Sequence, residues 1–364
     1  AIEAKRMGYH VTVLDPLPSS PAGQVADHQI VAGFTDAKAL RELVAGSDVS
    51  TFEFEHIDAG TLEILALEGH ALYPTGSTLK KIQDKYVQKR MLEEIGVSVP
   101  EFYEVSSYSD LLSCSKILGF PCVVKYRKGG YDGKGNRIIH AACQLKDLES
   151  PANNNLLMVE EFIEFERELS IVTARATDGQ VRLYPVAENV HEQNILRLTR
   201  VPAEINPNVQ LEIDMICKKV LEGIHDSGIF CIEMFLSRNG KIHVNEIAPR
   251  PHNSGHYTIE ACMTSQFEQL VRILTRMPLG SCKLRSPCVM ANILGNESVH
   301  GRYALGGLEQ VLNEEDVHLH VYGKHTIGFL KKIGHITVLG DSVSAAERKC
   351  LDALGRIRIL SSVG

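Results

Sequence analysis

No apolar run in this 364-residue chain approaches the ~20 residues that a helix needs to cross a bilayer, and nothing in it resembles a secretory signal. A membrane partner is therefore not expected, and a cytoplasmic location is. Cysteine pairs at the two-residue spacing of zinc and redox motifs are also lacking: the nine cysteines are scattered at positions 114, 122, 143, 217, 231, 262, 282, 288 and 350. An odd, unpatterned set in a chain of this size reads as reduced, mostly buried thiols. Positive charge is not in excess. With 38 Lys and Arg against 45 Asp and Glu, the formal charge of −7 argues against broad adhesion to nucleic acid or anionic lipid, while leaving room for a local basic pocket. The motifs G-x-x-x-x-G-K-[ST], G-x-S-x-G and H-E-x-x-H do not occur, which excludes a P-loop, a serine nucleophile elbow and a zincin centre. Internal repeats and low-complexity tracts are missing too.

What is present is the profile of a soluble globular protein, 44% hydrophobic and 23% charged, and too long for one ordinary core, so two or three packed units are expected. Ala1 through Gly8 looks like the interior and glycine end of a helix leading into a strand over 9–15, which implies a further segment upstream. β-rich runs (9–15, 49–54) alternate with a helical pattern over 58–67, the signature of a parallel α/β sheet. Apolar residues at helical spacing over 77–95 predict one helix at a domain border. The middle is sheet-rich, with strands over 122–125, 156–160 and 168–174, a helix near 213–225, and the runs 229–236 and 241–247 joined by a hairpin with an Asn239-Gly240 turn. Short strands over 288–294, 317–322 and 334–339 and a closing helix suggest a small last unit. The expected domains are 1–76, 77–277 and 278–364.

Directly after the run 122–125, the stretch from Lys125 to Asn136 gathers four glycines and four cations. Glycines let main-chain N–H groups approach phosphate oxygens, and lysines neutralise them, as phosphate-cradling loops require. A hairpin tip with solvated lysines is the bland alternative and, for the loop alone, stands equally. Glu233 and Glu246 lie one on each strand of the Asn-Gly hairpin with Asn245 beside the second, a set of hard oxygens that suits Mg²⁺. Their apolar neighbours Ile232, Met234, Val244 and Ile247 argue for a shared ligand-facing side over an exposed ribbon. Glu160-Glu161-Phe162-Ile163, leading to Glu168, offers backbone groups to a base and a carboxylate to sugar hydroxyls, a weak signal alone. The loop 248–256, stiffened by Pro249 and Pro251, carries Arg250, His252, Asn253, Ser254 and His256, more function-bearing side chains than a surface turn needs. A phosphate loop and metal carboxylates without a nucleophile point to phosphoryl transfer by positioning and charge stabilisation.

The ordered segments Gln83-Asp84-Lys85, Val124-Lys125, Gly129 through Gly135, Glu160 through Ile163, Glu188-Asn189-Val190-His191, Asn245 through Arg250 and His252-Asn253-Ser254-Gly255-His256 resemble the N5-carboxyaminoimidazole ribonucleotide synthetase family, over residues 9–340. The resemblance implies an ATP-grasp fold with an N-terminal parallel α/β (preATP-grasp) domain and a small C-terminal domain. It implies an enzyme that joins ATP, bicarbonate and 5-aminoimidazole ribonucleotide, through carboxyphosphate, in purine biosynthesis, and a homodimer. By motif position, Lys85 and Lys125 would hold ATP phosphates under a flap of Gly130, Tyr131, Asp132, Gly133, Lys134, Gly135 and Asn136. Glu160, Glu161, Phe162 and Ile163 would bracket the adenine, Glu168 would meet the ribose, His191 and Asn245 would lie beside the nucleotide, and Glu233 and Glu246 would bind Mg²⁺. The ribonucleotide would fall to Glu53 or Glu55, Tyr131, Lys134, His252, Asn253, Ser254, Lys324 and Lys331. Arg250, Arg197 and Lys134 would carry the catalytic charge.

The sequence departs from the family where Lys85, Lys134 and Lys331 replace the usual Arg, losing a bidentate fork though not the charge, and where Gly328-Phe329-Leu330 replaces the usual Pro and Gly. The family's opening strand and Gly-x-Gly-Gln-Leu-Gly turn is not found in this sequence. Two other readings stand beside this one. A sibling ATP-grasp ligase, such as the formate-using purine transformylase, would share the nucleotide and metal residues and differ around His252-Asn253-Ser254. A catalytically silent nucleotide-binding module is opposed by the retention of both metal carboxylates.

Overall fold

The computed structural model describes residues 1–130 and 135–361, so the nominated Tyr131, Asp132, Gly133 and Lys134 lie outside the described residues. β1 (Thr12–Asp15) pairs in parallel with β2 (His28–Val31), as the alternating pattern predicts. The helices Ala37–Ala45 and Ala59–Leu67 are started by Asp36 and Asp58, whose carboxylates accept first-turn N–H groups. The run 49–54 contributes only a parallel bridge, Ser50 to Leu72. Beyond it the chain is drawn off the sheet: Gln83 donates to the carbonyls of Glu55 and Ile57 at 2.6 and 2.8 Å, and Phe54 lies against Phe34 with ring centroids 5.0 Å apart.

The single helix predicted over 77–95 is two helices, Gly76–Gln83 and Lys85–Glu94. Asp84 separates them. Its backbone is extended (φ −98°, ψ 106°), and its carboxylate caps the N–H groups of Tyr86 and Val87. Apolar spacing carries on across the break, which is why periodicity does not report it.

Next comes a four-stranded antiparallel sheet of β3 (Phe102–Val105), β4 (Cys122–Tyr126), β5 (Asn136–Ile139) and β6 (Leu157–Glu161), in the order β3-β6-β4-β5. The glycine-rich loop joins β4 to β5. A larger nine-stranded sheet holds β7 (Phe165–Arg175), β8 (Val181–Leu183), β9 (Ala187–Glu192), β10 (Ile195–Val201), β11 (Gly228–Ser237), β12 (Ile242–Ala248) and β13 (Cys288–Leu294). β14 (Tyr303–Gly306) pairs outside it with β17 (Arg358–Ser361), whereas β15 (Val317–Val321) and β16 (Lys332–Leu339) complete the order β12-β11-β7-β9-β10-β13-β16-β15, with β8 on β7. The C-terminal strands thus extend the central sheet. They also build a core of their own, where Ala346, Cys350 and Ala353 of the helix Val343–Arg356 pack on Ala291, Ile293, Ile336 and Val338. Gln24 donating to Gly323 O at 3.1 Å ties this region back to the N-terminal domain.

Strand alternation sorts the two faces of the large sheet. Leu169, Ile171, Ile232, Met234 and Val244 turn towards Ile213, Cys217, Val220 and Leu221 of the helix Pro207–Ile224, each buried aliphatic contributing about 1.5–3 kcal/mol. The opposite face is apolar in one part, where Val172, Ala174, Ile229 and Cys231 pack with Leu270 and Ile273 of the helix Gln266–Leu274, and polar in the rest. Register aligns Ser170, Glu233 and Glu246 in one row, Glu168, Asn189 and Thr199 in a second, and Asn292, His335 and His320 in a third.

The third row ends in a histidine stack. His335, 2% exposed, lies 4.4 Å from His320 and 5.0 Å from His256 between ring centroids, its Nδ1 is 2.9 Å from Tyr322 Oη, and His320 Nε2 is 2.6 Å from Glu260. Burial, with two further histidines beside it, holds the His335 pKa down to about 2 against an ordinary 6.5. A folded-state value so depressed means that neutral His335 contributes its full stability above the unfolded value. That contribution is lost as pH falls below it, at up to about 1.4 kcal/mol per pH unit. Denaturant unfolding between pH 7 and pH 5 should show this slope, and His335→Gln should flatten it. An equal slope in the variant would remove His335 as its source.

Candidate active site

Lys125 on β4 is 4% exposed and reaches Glu160 Oε1 at 2.5 Å and Asn245 Oδ1 at 3.0 Å. Glu160 on β6 is 2% exposed and also pairs with Lys89 at 3.0 Å, while Lys85 pairs with Glu246 on β12. A β-bulge makes the β12 side possible. Glu233 opposes Glu246 and Met234 opposes Val244, so Asn245 is an extra residue in the ladder. Consecutive side chains of a regular strand point to opposite faces, and the bulge is what lets both Asn245 and Glu246 meet lysines.

The helix Lys85–Glu94 is clamped against this strand. Gln88 accepts from Ile247 N at 2.9 Å and donates to Ile247 O at 3.1 Å. At the helix start, Lys85 N donates to Arg127 O at 2.8 Å, and the Arg127 guanidinium spans Asp84 at 2.9 Å and Glu104 at 2.6 Å. The segment Gln83-Asp84-Lys85 therefore performs three jobs: Gln83 holds the 55–57 backbone, Asp84 caps the helix and orients Arg127, and Lys85 faces Glu246.

The electrostatics follow from burial and charge. Burial opposes the Lys85 ammonium, but Glu246 outweighs it and raises the pKa. Lys85 in turn holds the Glu246 carboxyl well below its usual range, whereas burial and the adjacent Glu246 charge push Glu233 up. Lys89 is brought down to about 8, chiefly by burial. Glu160, buried as it is, stays below its usual range because Lys125 and Lys89 both press on it. Two carboxylates of opposed tendency with an amide oxygen beside them fit a hard divalent cation. Among the described residues no three His, Cys, Asp or Glu side chains converge to hold a metal.

The loop after β12 closes the site. His252 Nε2 lies 3.4 Å from Glu233 Oε1, and Arg250 Nε lies 2.9 Å from Glu55 Oε1. Of the two glutamates nominated there, Glu55 makes the ion pair. Glu53 lies within reach of the same Arg250 charge. Asn253 and Asn292 exchange two amide hydrogen bonds at 2.7 and 3.0 Å. Glu168 and His191 form a pair across β7 and β9, and Glu168 outweighs burial to raise the His191 pKa. Phe162 and Ile163 lie just past the end of β6, with Glu161 exposed beside them.

Several nominated residues take different places from those expected. The Glu160 side chain is spent on the two lysines. Ser254 is 1% exposed and faces into the protein. Lys331 donates to Thr326 at 3.4 Å on the surface, and it is Lys332 whose charge adds to burial, and at His252 to Arg250, in lowering His252 and His256. Lys324 joins that neighbourhood by donating to Lys332 O at 2.8 Å. Arg197 pairs with Glu192 at 3.1 Å and lines a cavity of about 510 Å³ with Arg358, Asn296 and Asn292, so it is not in the Arg250 pair. Lys89 and Lys332 escaped sequence reading. A lysine one helical turn after Lys85, and the second member of a basic pair entering a strand, were the available signals.

Known proteins agree with this architecture. The ribonucleotide synthetase preATP-grasp domain family matches residues 1–83, the ATP-grasp domain family residues 90–267, and the phosphoribosylaminoimidazole carboxylase C-terminal domain family residues 288–349. The N5-carboxyaminoimidazole ribonucleotide synthase of Bacillus subtilis (strain 168) is 38% identical over 346 residues, covering 93% of this chain and 87% of that protein. The crystal structure of the Thermotoga maritima N5-carboxyaminoimidazole ribonucleotide synthetase superposes with a TM-score of 0.90 at 45% identity, covering 99% of this chain and 95% of that one. The Aspergillus clavatus synthase, solved with ADP and 5-aminoimidazole ribonucleotide, gives a TM-score of 0.87 at 28% identity over 98% of this chain and 94% of that one.

Proposed function

We propose, from the premise that this chain belongs to the N5-carboxyaminoimidazole ribonucleotide synthase family of ATP-grasp ligases, that it carboxylates 5-aminoimidazole ribonucleotide with bicarbonate at the expense of ATP, yielding N5-carboxyaminoimidazole ribonucleotide, ADP and phosphate in purine biosynthesis. The observation that carries the residue assignment is the meeting of the Lys85–Glu246 and Lys125–Glu160 pairs beside the Arg250–Glu55 pair. Lys85 and Lys125, each held by a carboxylate, would bind the ATP phosphates. Backbone groups of Phe162 and Ile163 would take the adenine, and Glu168, steadied by His191, the ribose.

Glu233 and Glu246, with Asn245, would hold Mg²⁺, which when bound neutralises charge on the nucleotide phosphates. Bicarbonate oxygen attacks the γ-phosphorus and ADP leaves, giving carboxyphosphate, whose developing anion would lie near Arg250, a guanidinium aimed by Glu55. The substrate amine then attacks the carboxyl carbon and phosphate departs. His252 and Asn253 would face the ribonucleotide, with Lys332 and Lys324 receiving its 5′-phosphate. We further infer a homodimer in the cytoplasm, the first part checked by sedimentation.

The test is ADP release with MgATP and bicarbonate, with and without the aminoimidazole ribonucleotide. Strong dependence on the ribonucleotide is expected. ATP hydrolysis indifferent to it would favour a sibling ligase, and none at all from folded protein a silent module.

A further inference from the structure

A line of hydrogen bonds crosses the polar face of the large sheet and ends at the carboxylate row. Thr199 Oγ1 donates to Asn189 Oδ1 at 3.1 Å, Asn189 Nδ2 to Ser170 Oγ at 2.8 Å, and Ser170 Oγ to Ser254 Oγ at 2.9 Å. Ser254 Oγ lies 2.9 Å from His252 Nδ1, and His252 Nε2 faces Glu233. Thr199, Ser170 and Ser254 are at most 1% exposed and Asn189 is 6% exposed, so water is not at hand to satisfy these groups instead.

With the Asn189 amide as oriented, the donor directions follow one from the next. Thr199 occupies the Asn189 carbonyl oxygen, so the amide must present N–H to Ser170. Ser170, having accepted that bond, passes its own hydrogen to Ser254. Ser254 then gives its hydrogen to His252 Nδ1 at 2.9 Å, a nearer and stronger acceptor than Cys231 Sγ at 3.6 Å, and the same nitrogen accepts the Ser254 backbone N–H at 3.3 Å. With donors at Nδ1, the neutral imidazole carries its proton on Nε2, directed at Glu233.

We propose that Asn189 and Ser170 are positioning residues that hold His252 in the Nε2–H tautomer and, through that N–H, orient Glu233 towards its divalent cation. Groups that orient a metal ligand from behind commonly govern its affinity. The second half of the proposal rests on Glu233 being a metal carboxylate; the tautomer does not.

Nitrogen-15 NMR of histidine-labelled, ligand-free protein tests the first half. The His252 resonances, recognised by their loss in His252→Gln, should show a bare Nδ1 and a protonated Nε2, and a protonated Nδ1 would overturn the proposal whether or not any other variant folds. Asn189→Asp keeps the shape but exchanges the donor for acceptors. The Ser170 hydrogen then turns to position 189 and the Ser254 hydrogen to Ser170, which leaves Nδ1 with the Ser254 N–H as its one donor and facing an Oγ that accepts, so the spectrum should shift towards a protonated Nδ1. In the same variant Mn²⁺ affinity, read by electron paramagnetic resonance without turnover, should fall about 10–100-fold. Thr199→Val, which merely frees the Asn189 amide, should weaken Mn²⁺ in the same direction. A switched tautomer with unchanged Mn²⁺ affinity would overturn the link to Glu233. Neither readout uses the ribonucleotide, so the carboxylation reading can fail without them.

Discussion

Glu246→Gln is expected to lower ADP formation by about 10³-fold or more while the protein stays folded. The glutamine has the volume of the glutamate but none of its charge, and the charge is what faces both Lys85 and the proposed cation. Two effects then add. The cation loses one of its two protein carboxylates, and Lys85, raised now by Glu246, is left partly buried without that partner. Loss of a single preorganised charge-stabilising group in an active site costs on the order of 10²–10³ in rate, and here two such groups are disturbed together. Steady-state ADP release measures the loss, and the far-ultraviolet circular dichroism spectrum with the melting temperature checks the fold. Turnover equal to that of the parent would sink the metal assignment at Glu246.

Glu160→Gln should act mainly on stability. It leaves Lys89 and Lys125, 1% and 4% exposed, without their shared carboxylate. Breaking a buried ion pair from one side costs about 3–5 kcal/mol, because a charge is left without compensation. Lys89 offers the route of relief. Its pKa stands at about 8 with Glu160 in place, and removing the carboxylate lowers it further. The folded variant then binds fewer protons than the unfolded chain, so its stability should rise with pH across the window below the ordinary lysine value. Denaturant unfolding at pH 7.5 and 9.5 would show a smaller deficit at the higher pH. Adding Lys89→Met to Glu160→Gln should recover part of the loss, by removing one of the two stranded cations. A single-variant deficit no larger than that of an exposed pair would show that the cluster is better solvated than its burial indicates.

The sequence was most legible where function depends on consecutive residues. The glycine-rich run after β4, the Asn-Gly hairpin with Glu233 and Glu246, and the 248–256 loop were all noted from residue type and spacing; they belong to two different sheets, joined where Lys125 on β4 reaches Asn245 on β12. It was less legible where one residue interrupts a pattern. Asp84 splits a helix whose apolar spacing runs on unbroken, and Asn245 adds one residue to a strand that otherwise alternates. Each is a local backbone event that leaves little trace in hydrophobic periodicity, which averages over many residues.

By itself, then, the sequence determined the alternation of elements, the paired carboxylates and the cationic glycine loop, because these rest on local propensity and on short-range spacing. Only the tertiary structure decided that Glu160 faces Lys89 and Lys125 instead of solvent, that Lys332 rather than Lys331 acts on the histidines, and that Ser254 turns inward to meet Ser170. Those outcomes join strands to one another, to the helix Lys85–Glu94 and to the loop after β12, all far apart in the chain. On the strands, which of two adjacent side chains points inward is set by the register of the neighbouring strand, and a shift of one residue would exchange them.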